Sequence, residues 1–219
     1  MHPAKTWFLQ QMAKKAAEAL SGNGFDAVYV SNAEAARAAV LARIPKGASI
    51  GFGGSMTLQE IGVIPELEAG GFDLINPPNK KLPDDKEARN AIRRRAAQAD
   101  VCLTSANAIA LDGEMVSTDG TGNRLVTYLF GPRQTILVVG ANKVVADVYE
   151  AQQRIRQVAA PMNVKRLEKK TVPCLTTGIC DDTACVSADR ICNATVILHK
   201  KPNGVDRFGV IVVGEELGF

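Results

Sequence analysis

The sequence has few aromatic residues and almost no histidine. Of its 219 residues, 1 is Trp, 3 are Tyr, 7 are Phe and 2 are His. Proteins that bind single-stranded nucleic acid stack bases on aromatic side chains interleaved with basic ones, and this pattern is missing. The 26 basic and 23 acidic residues are spread along the chain and give a net charge of only +3. We therefore expect no nucleic-acid partner.

Long hydrophobic runs are also missing. An apolar run such as the one in residues 134–140 has only the length of a strand, whereas a membrane-spanning helix needs about 20 apolar residues. The first residues form an amphipathic pattern with no continuous apolar segment before a small-residue cleavage site, so no secretory signal is visible. We expect a cytoplasmic protein with no membrane partner. Its 46% of hydrophobic residues are enough to build a buried core.

Strand-like and helix-like segments alternate along most of the chain, which is typical of an α/β fold. Strands are predicted at 25–30, 48–52, 72–76, 101–105 and 135–140, and helices at 6–20, 33–43, 56–69, 84–98, 121–130 and 144–159, the last ended by Pro161. A hairpin is predicted over 108–117 around Asp112-Gly113, and a closing hairpin is predicted from 195–200 and 207–213. Residues 77–83 are predicted to be a mobile loop.

These segments predict one α/β domain over residues 1–219, with a mainly parallel central sheet, helices on both faces and a β-hairpin insertion. Residues 1–50 would supply the amino-terminal helix and the first strand–helix unit. No repeat, low-complexity tract or linker divides the chain. Residues 165–193 form an irregular, cysteine-rich segment.

A glycine-rich loop at residues 51–57 follows a predicted strand and opens a predicted helix. Gly51, Gly53, Gly54 and Ser55 could bring backbone N–H groups close to an anion at the helix amino terminus. The spacing fits neither the P-loop nor the dinucleotide-binding fingerprint. A tight turn that needs glycine only for its backbone dihedral angles is the alternative.

Polar side chains also cluster after predicted strands, where open α/β sheets place their ligand crevice. Asn107, Asn123 and Arg124 offer amide groups and a guanidinium that suits a carboxylate or phosphate. Asn142 and Lys143 follow the most apolar strand and are predicted ligand contacts as well. For Lys143, an ordinary solvated lysine is the alternative.

Three acidic residues are candidates for proton transfer. Glu60 follows the glycine-rich loop, Asp112 lies in the predicted hairpin and Asp119 precedes a predicted helix. Each has a simpler explanation: a solvated helix residue, a hairpin turn and a helix cap, respectively.

Four of the five cysteines lie within nineteen residues, at Cys174, Cys180, Cys185 and Cys192. Four thiols in a short irregular segment can bind one tetrahedral Zn²⁺ or an iron–sulfur cluster. Their spacings of five, four and six intervening residues match neither a zinc ribbon nor a ferredoxin. Redox-active thiols and reduced cysteines that only pack remain alternatives. Cys102 is predicted to lie in the core.

Several of these motifs together resemble the lactate-utilisation family, the LUD-domain proteins. The matching stretches are 51–62 (GFGGSMTLQEIG), 105–124 (SANAIALDGEMVSTDGTGNR), 140–144 (GANKV), 159–163 (AAPMN), 173–180 (PCLTTGIC), 190–193 (RICN) and 213–219 (VGEELGF). The resemblance implies a fold similar to that of the sugar-phosphate isomerase and coenzyme A transferase superfamily (NagB/RpiA/CoA transferase-like). It also implies a homodimer and a role in L-lactate oxidation beside iron–sulfur and oxidoreductase partners.

One residue departs from the pattern of the isomerases in that superfamily. Asn107 stands where they are expected to have an aspartate, and an amide cannot act as a general acid or base near neutral pH. We therefore predict a LUD-domain protein that binds a small anionic metabolite. The alternatives are a redox or assembly partner acting through the cysteine segment, and an isomerase or coenzyme A transferase-like enzyme.

Overall fold

A six-stranded sheet forms the centre of the fold. The structure is a computed structural model that describes residues 2–180 and 185–219. The strands of this sheet, numbered along the chain, are β1 (Asp26–Val30), β2 (Ser49–Phe52), β3 (Asp73–Ile75), β4 (Val101–Thr104), β7 (Gln134–Gly140) and β10 (Arg207–Val213). Their spatial order is β1-β10-β7-β4-β2-β3 and every pairing is parallel. All seven residues of β7 are buried, as expected of a central parallel strand.

A second, four-stranded sheet has the order β8-β5-β6-β9. Its strands are β5 (Ala108–Ala110), β6 (Met115–Asp119), β8 (Val144–Val145) and β9 (Ala194–Leu198). The antiparallel pair β5–β6 is the hairpin predicted around Asp112-Gly113, and Gly113 has a positive φ of 86°, which glycine adopts without strain. The hairpin is thus part of this second sheet.

The predicted closing hairpin is wrong. β9 pairs with β6 in the smaller sheet, whereas β10 lies between β1 and β7 in the central sheet. Burial explains the difference: β10 is buried at every position after its first residue, whereas only the last residue of β9 is buried. A strand that is apolar on both faces belongs inside a parallel sheet, not in a terminal hairpin.

Helices cover both faces of the central sheet. On one face, α1 packs Leu9, Ala16 and Leu20 against Leu137 and Val139; α2, α3 and α4 bury their apolar residues against the opposite face. The helices are α1 (Pro3–Gly22), α2 (Ala33–Leu41), α3 (Met56–Glu60), α4 (Val63–Ala69), α5 (Lys86–Ala97), α6 (Val126–Leu129), α7 (Val148–Arg154), α8 (Ala160–Arg166) and α9 (Cys174–Thr177). Within the described ranges, no helix is long and apolar enough to span a membrane.

Three predicted helices differ from the observed ones. The helix expected over 56–69 is broken into α3 and α4 at Gly62, which has a positive φ of 69°. The helix expected over 121–130 is only the single turn α6. The one expected over 144–159 begins after β8 and does not end before Pro161: a π-helical stretch, Ile155–Ala159, joins α7 to α8. Pro161 lies in the first turn of α8, where a missing N–H is tolerated.

Candidate functional site

A cleft of about 810 Å³ lies beyond the carboxyl ends of β2, β3 and β4. Gly54 follows β2, Asn76 follows β3 and Asn107 follows β4, and all three line the cleft. The end of β6 and helix α8 supply residues to the other walls. Parallel strands bring their carboxyl ends to one edge of the sheet, which is the usual place for a ligand in an open α/β fold.

The charges that line this cleft are strongly unbalanced. Among the described residues, seven cationic side chains and one carboxylate, Asp119, line it; the cations are Lys80, Lys86, Arg93, Arg124, Arg166, Lys169 and Arg190. Within residues 2–180 and 185–219, Lys80 and Lys169 form ion pairs, with Glu68 at 3.8 Å and Asp189 at 3.6 Å, and the other five cations form none. We call this site the basic cleft. Its unpaired positive charge favours an anionic ligand.

Arg124 is held by neutral acceptors. Its Nη1 donates to the carbonyl of Ser105 at 3.1 Å, and its Nη2 donates to Asn107 Oδ1 at 2.8 Å and to the carbonyl of Thr118 at 2.6 Å. Asn107 is itself fixed, because its Oδ1 also accepts the Thr118 N–H at 2.9 Å. These contacts orient the guanidinium without neutralising its charge, so Asn107 is a positioning residue for Arg124.

Arg166 adds a second oriented guanidinium to the basic cleft. Its Nε and Nη2 donate to Asn163 Oδ1 at 3.1 and 2.9 Å. Burial, and then the nearby guanidinium of Arg124, lowers the pKa of Arg166. The two arginines therefore repel each other, and an anion between them would relieve that repulsion.

Two further cations, Lys143 and Arg154, lie behind the wall of the cleft. Lys143 is 2% exposed, and its Nζ donates to Thr57 Oγ1 at 2.8 Å and to Ser105 Oγ at 3.2 Å. Burial, Arg154 and Arg124 together lower the pKa of Lys143 to about 7. Burial lowers the pKa of Arg154 to about 10, and its Nη1 donates to the carbonyl of Asn107 at 2.7 Å.

The structure brings five of the predicted ligand-binding and proton-transfer residues into the basic cleft: Gly54, Asn107, Asp119, Asn123 and Arg124. Cys192, a predicted metal ligand, lines it as well. Asp119 also acts as a local cap, since its carboxylate accepts the N–H of Thr121 at 3.4 Å and of Arg124 at 3.1 Å. The first five residues come from the glycine-rich loop and from the segment around the hairpin, the two stretches in which the motifs were found.

The rest of the glycine-rich loop has packing and capping roles. A Cβ on Gly51 would lie 1.9 Å from the carbonyl oxygen of Ala96 in α5, and one on Gly53 would lie 2.9 Å from Cγ of Arg124. Ser55 is the N-cap of α3, where its Oγ accepts the N–H of Leu58 at 3.3 Å. Gly54 is the residue of this loop that lines the cleft.

Glu60, Asn142 and Asp112 do not line the basic cleft. Glu60 Oε2 accepts the N–H of Gly218 at 2.6 Å, and Asn142 accepts the N–H of Leu217 at 3.0 Å. Both therefore hold the carboxyl-terminal residues against the sheet. Asp112 lies in the hairpin turn, where its Oδ1 accepts the N–H of Glu114 at 3.2 Å.

The four clustered cysteines, Cys174, Cys180, Cys185 and Cys192, line one small cavity of about 20 Å³ beside the basic cleft. Burial and the three neighbouring thiols raise the pKa of Cys174. In the described part of the chain, no group of three or more His, Cys, Asp or Glu side chains is placed so that it could hold a metal ion. The four residues between Cys180 and Cys185 lie outside the described residues.

Cys102 lies in the core, as predicted. It is 1% exposed in β4, and burial raises the pKa of its thiol to about 11. It lines neither the cysteine cavity nor the basic cleft.

Most of the cleft's cations were not predicted from sequence. The missed residues are Lys80, Lys86, Arg93, Arg166, Lys169 and Arg190. Two short basic clusters, residues 93–95 and 165–170, were the available signal. The missed cations are spread over residues 80–190, so they form a common site only once the chain is folded.

The fold and the cleft define an α/β protein with a basic crevice at the carboxyl ends of three strands of its central sheet. The family model described as LUD domain matches residues 13–213, so the chain belongs to the LUD domain family, as the sequence motifs predicted. It is similar in structure to a crystal structure, at 1.70 Å resolution, of a DUF162 family protein from Deinococcus radiodurans. The TM-score is 0.53 and the sequences are 17% identical, over 94% of this chain and 98% of the other. No curated protein matches the sequence.

Proposed function

We propose that this LUD-domain protein binds an anionic metabolite in the basic cleft and serves lactate or related organic-acid utilisation, beside oxidoreductase partners. The observation that carries the proposal is the charge of the cleft, which the described residues line with seven cationic side chains and one carboxylate. A crevice with excess charge of one sign concentrates ligands of the opposite sign.

The arrangement of the cations favours a ligand with more than one anionic group. Lys86 and Arg93 lie on α5, whereas Arg166 lies at the end of α8, so charges come from separate walls. The volume of about 810 Å³ is within the range of about 300–1,000 Å³ that accommodates ligands of drug size and is larger than a three-carbon acid requires. A phosphate-bearing metabolite therefore fits the cleft better than lactate alone.

The residues around Arg124 would orient the ligand. Asn107 and two backbone carbonyls fix the position of Arg124. These bonds use three of its five N–H groups and leave the Nε–H and one Nη1–H to donate to a carboxylate or phosphate. Asn123 adds an amide that can donate and accept. The buried positive charge of Arg154 would add to the field behind these groups. Lys143, with a pKa of about 7, would add to it mainly below that pH.

Thermal unfolding in the presence of L-lactate, pyruvate, ribose 5-phosphate or coenzyme A tests the proposal. A ligand at 100 times its Kd stabilises the folded state by about 2.7 kcal/mol. We expect a clear rise in the unfolding midpoint with at least one of the phosphate-bearing compounds. The absence of a shift with all four would contradict the proposal.

Replacing Arg93 locates the binding site. Arg93 lines the basic cleft, whereas its neighbour on the same helix, Arg94, does not and is exposed. Because a charge-assisted hydrogen bond contributes about 1.5–3 kcal/mol, Arg93→Gln should weaken binding of the stabilising compound roughly tenfold or more in titration calorimetry. The matched variant Arg94→Gln should leave the affinity unchanged. Equal losses in both variants would show that the anion binds elsewhere.

A further inference from the structure

The second feature of interest is the cysteine cavity. Four thiol side chains converge there, although they come from separate parts of the cysteine-rich segment: Cys174 is the first residue of α9, Cys180 follows this helix, and Cys185 and Cys192 come later. The remaining lining residues are Ala160, Val164, Val172, Pro173, Arg190 and Ile191. Five of these six described residues are apolar and the sixth is a cation, so none of the six competes with the thiols as a metal ligand.

The volume of the cavity distinguishes between possible occupants. About 20 Å³ accommodates roughly one water molecule and therefore one metal ion. A cluster of four irons and four sulfides is several times larger. The geometry thus favours a single ion with four sulfur ligands, which is a common structural site for zinc.

Arg190 already holds two of the cysteines in place. Its Nη1 donates to the carbonyl of Cys185 at 2.9 Å and its Nε to the carbonyl of Cys192 at 3.2 Å. The guanidinium also supplies positive charge next to the site, which suits a centre in which four thiolates carry more negative charge than the ion neutralises. Groups of this kind around the ligands orient them and tune metal affinity.

We propose that Cys174, Cys180, Cys185 and Cys192 bind one Zn²⁺ ion as a tetrahedral four-thiolate centre. The four thiols lose their protons on binding, and each Zn–S distance closes to about 2.3 Å. Since the side chains are not already arranged around an ion in the described residues, they rotate inward when zinc binds. The bond changes are the loss of four S–H bonds and the formation of four Zn–S bonds, with no change in oxidation state.

This centre would also shape one wall of the basic cleft. Arg190, Ile191 and Cys192 line both the cysteine cavity and the cleft. Beyond them, Asn193 is tied to the end of β6 through its N–H, which donates to the carbonyl of Asp119 at 3.2 Å. An ordered zinc site would therefore fix the position of this wall of the cleft, a consequence that rests on the proposed function.

Metal analysis of the full-length chain tests the proposal directly. Protein purified without a metal-binding tag is incubated with Zn²⁺, freed of excess ion and analysed for zinc, iron and acid-labile sulfide. We expect one zinc per chain. In the zinc-loaded protein, four thiols should be protected from a thiol reagent, and chelation should release them.

Variants identify the ligands. Cys174→Ser and Cys192→Ser should lower the zinc content from one ion per chain to near zero, whereas Cys102→Ala, at the buried cysteine outside the cavity, should keep it. If a ligand variant fails to fold, X-ray absorption on the wild-type protein gives an independent answer, with four sulfur neighbours expected. Folded protein that takes up no zinc would overturn the proposal, as would stoichiometric iron and sulfide or zinc retained by both serine variants. None of these measurements depends on the ligand of the cleft.

Discussion

At the scale of single residues, Lys143 is a buried cation without a carboxylate ion pair among the described residues. Its amine contacts the hydroxyls of Thr57 and Ser105, and burial, Arg154 and Arg124 lower its pKa from 10.5 to about 7. Between these two values the unfolded chain binds a proton that the folded chain does not. The free energy of unfolding therefore rises with pH in this window, and the stability is lost as pH falls toward 7.

Lys143→Met should remove the contribution of this amine to the pH dependence of the free energy of unfolding. Relative to the variant, the wild type should gain up to about 1.4 kcal/mol of stability per pH unit as the pH rises from 7 toward 10.5. Urea unfolding at several pH values measures the difference. Lys15→Met, at an exposed position, is the control. Its free energy of unfolding should change with pH in the same way as that of the wild type. Parallel profiles for Lys143→Met as well would mean that the buried amine stays charged throughout.

The sequence predicted that other groups approach the glycine-rich loop closely, but it did not predict the separate role of each glycine. Glycine at positions 51, 53 and 54 indicated that a ligand or another part of the protein lies close to the backbone. At Gly51 that neighbour is α5, at Gly53 it is the Arg124 side chain, and at Gly54 it is the open cleft. No local sequence pattern distinguishes these three surroundings, because the residues that form them lie far away in sequence.

At the scale of elements, α5 carries Lys86 and Arg93 to the basic cleft, and its first turn depends on Asp85. Asp85 Oδ1 accepts the N–H of Ala88 at 2.7 Å, which is the N-cap contact that satisfies an otherwise unpaired helix donor. Asp85→Ala should therefore reduce the free energy of unfolding by about 1 kcal/mol.

The neighbouring residue provides the control for this prediction. Asp84 is 93% exposed and pairs with Lys81, which is 86% exposed, and such surface pairs contribute little. Asp84→Ala should change the free energy of unfolding by less than about 0.5 kcal/mol, measured by urea unfolding. If the two variants were equally destabilised, the capping assignment would be wrong.

Elements with a strong local pattern were predicted well, and those whose pairing is set at long range were not. The continuous apolar run of β7 and the Asp112-Gly113 turn specify their own structure, and both were confirmed. β9 and β10 are adjacent in sequence with turn residues between them, which predicts a hairpin. They instead join different sheets, because β10 lies between β1 and β7. The sequence of the segment around β9 and β10 does not predict this pairing.

At the scale of the whole molecule, the small net charge does not indicate that cations are concentrated in one cleft. The chain carries only +3, yet the residues that the structure describes line the cleft with seven cations and one carboxylate. The family and the α/β class could be predicted from motifs and alternation. The charge of the cleft could not, because its cations come from positions 80 to 190 and are brought together only by the order of the central strands.

This concentration of like charges predicts how stability depends on salt. In the absence of a ligand, the cations of the cleft repel one another, and raising the salt concentration from about 10 mM to about 1 M shortens the screening length from about 30 Å to about 3 Å. The unfolding midpoint of the unliganded wild type should therefore rise with NaCl.

Arg166→Gln isolates the contribution of the cleft to this salt effect. Arg166 lines the cleft and interacts with Arg124, whereas the exposed Lys165 does not line it. The rise in midpoint with salt should be smaller in Arg166→Gln than in the wild type and unchanged in Lys165→Gln, since only the first variant removes a repelling charge from the cleft. General effects of salt on apolar burial act on all three proteins equally and cancel in the comparison. Identical salt dependence in all three would mean that the cations of the cleft are already neutralised in solution, and the unbalanced charge could then no longer explain recognition of an anion.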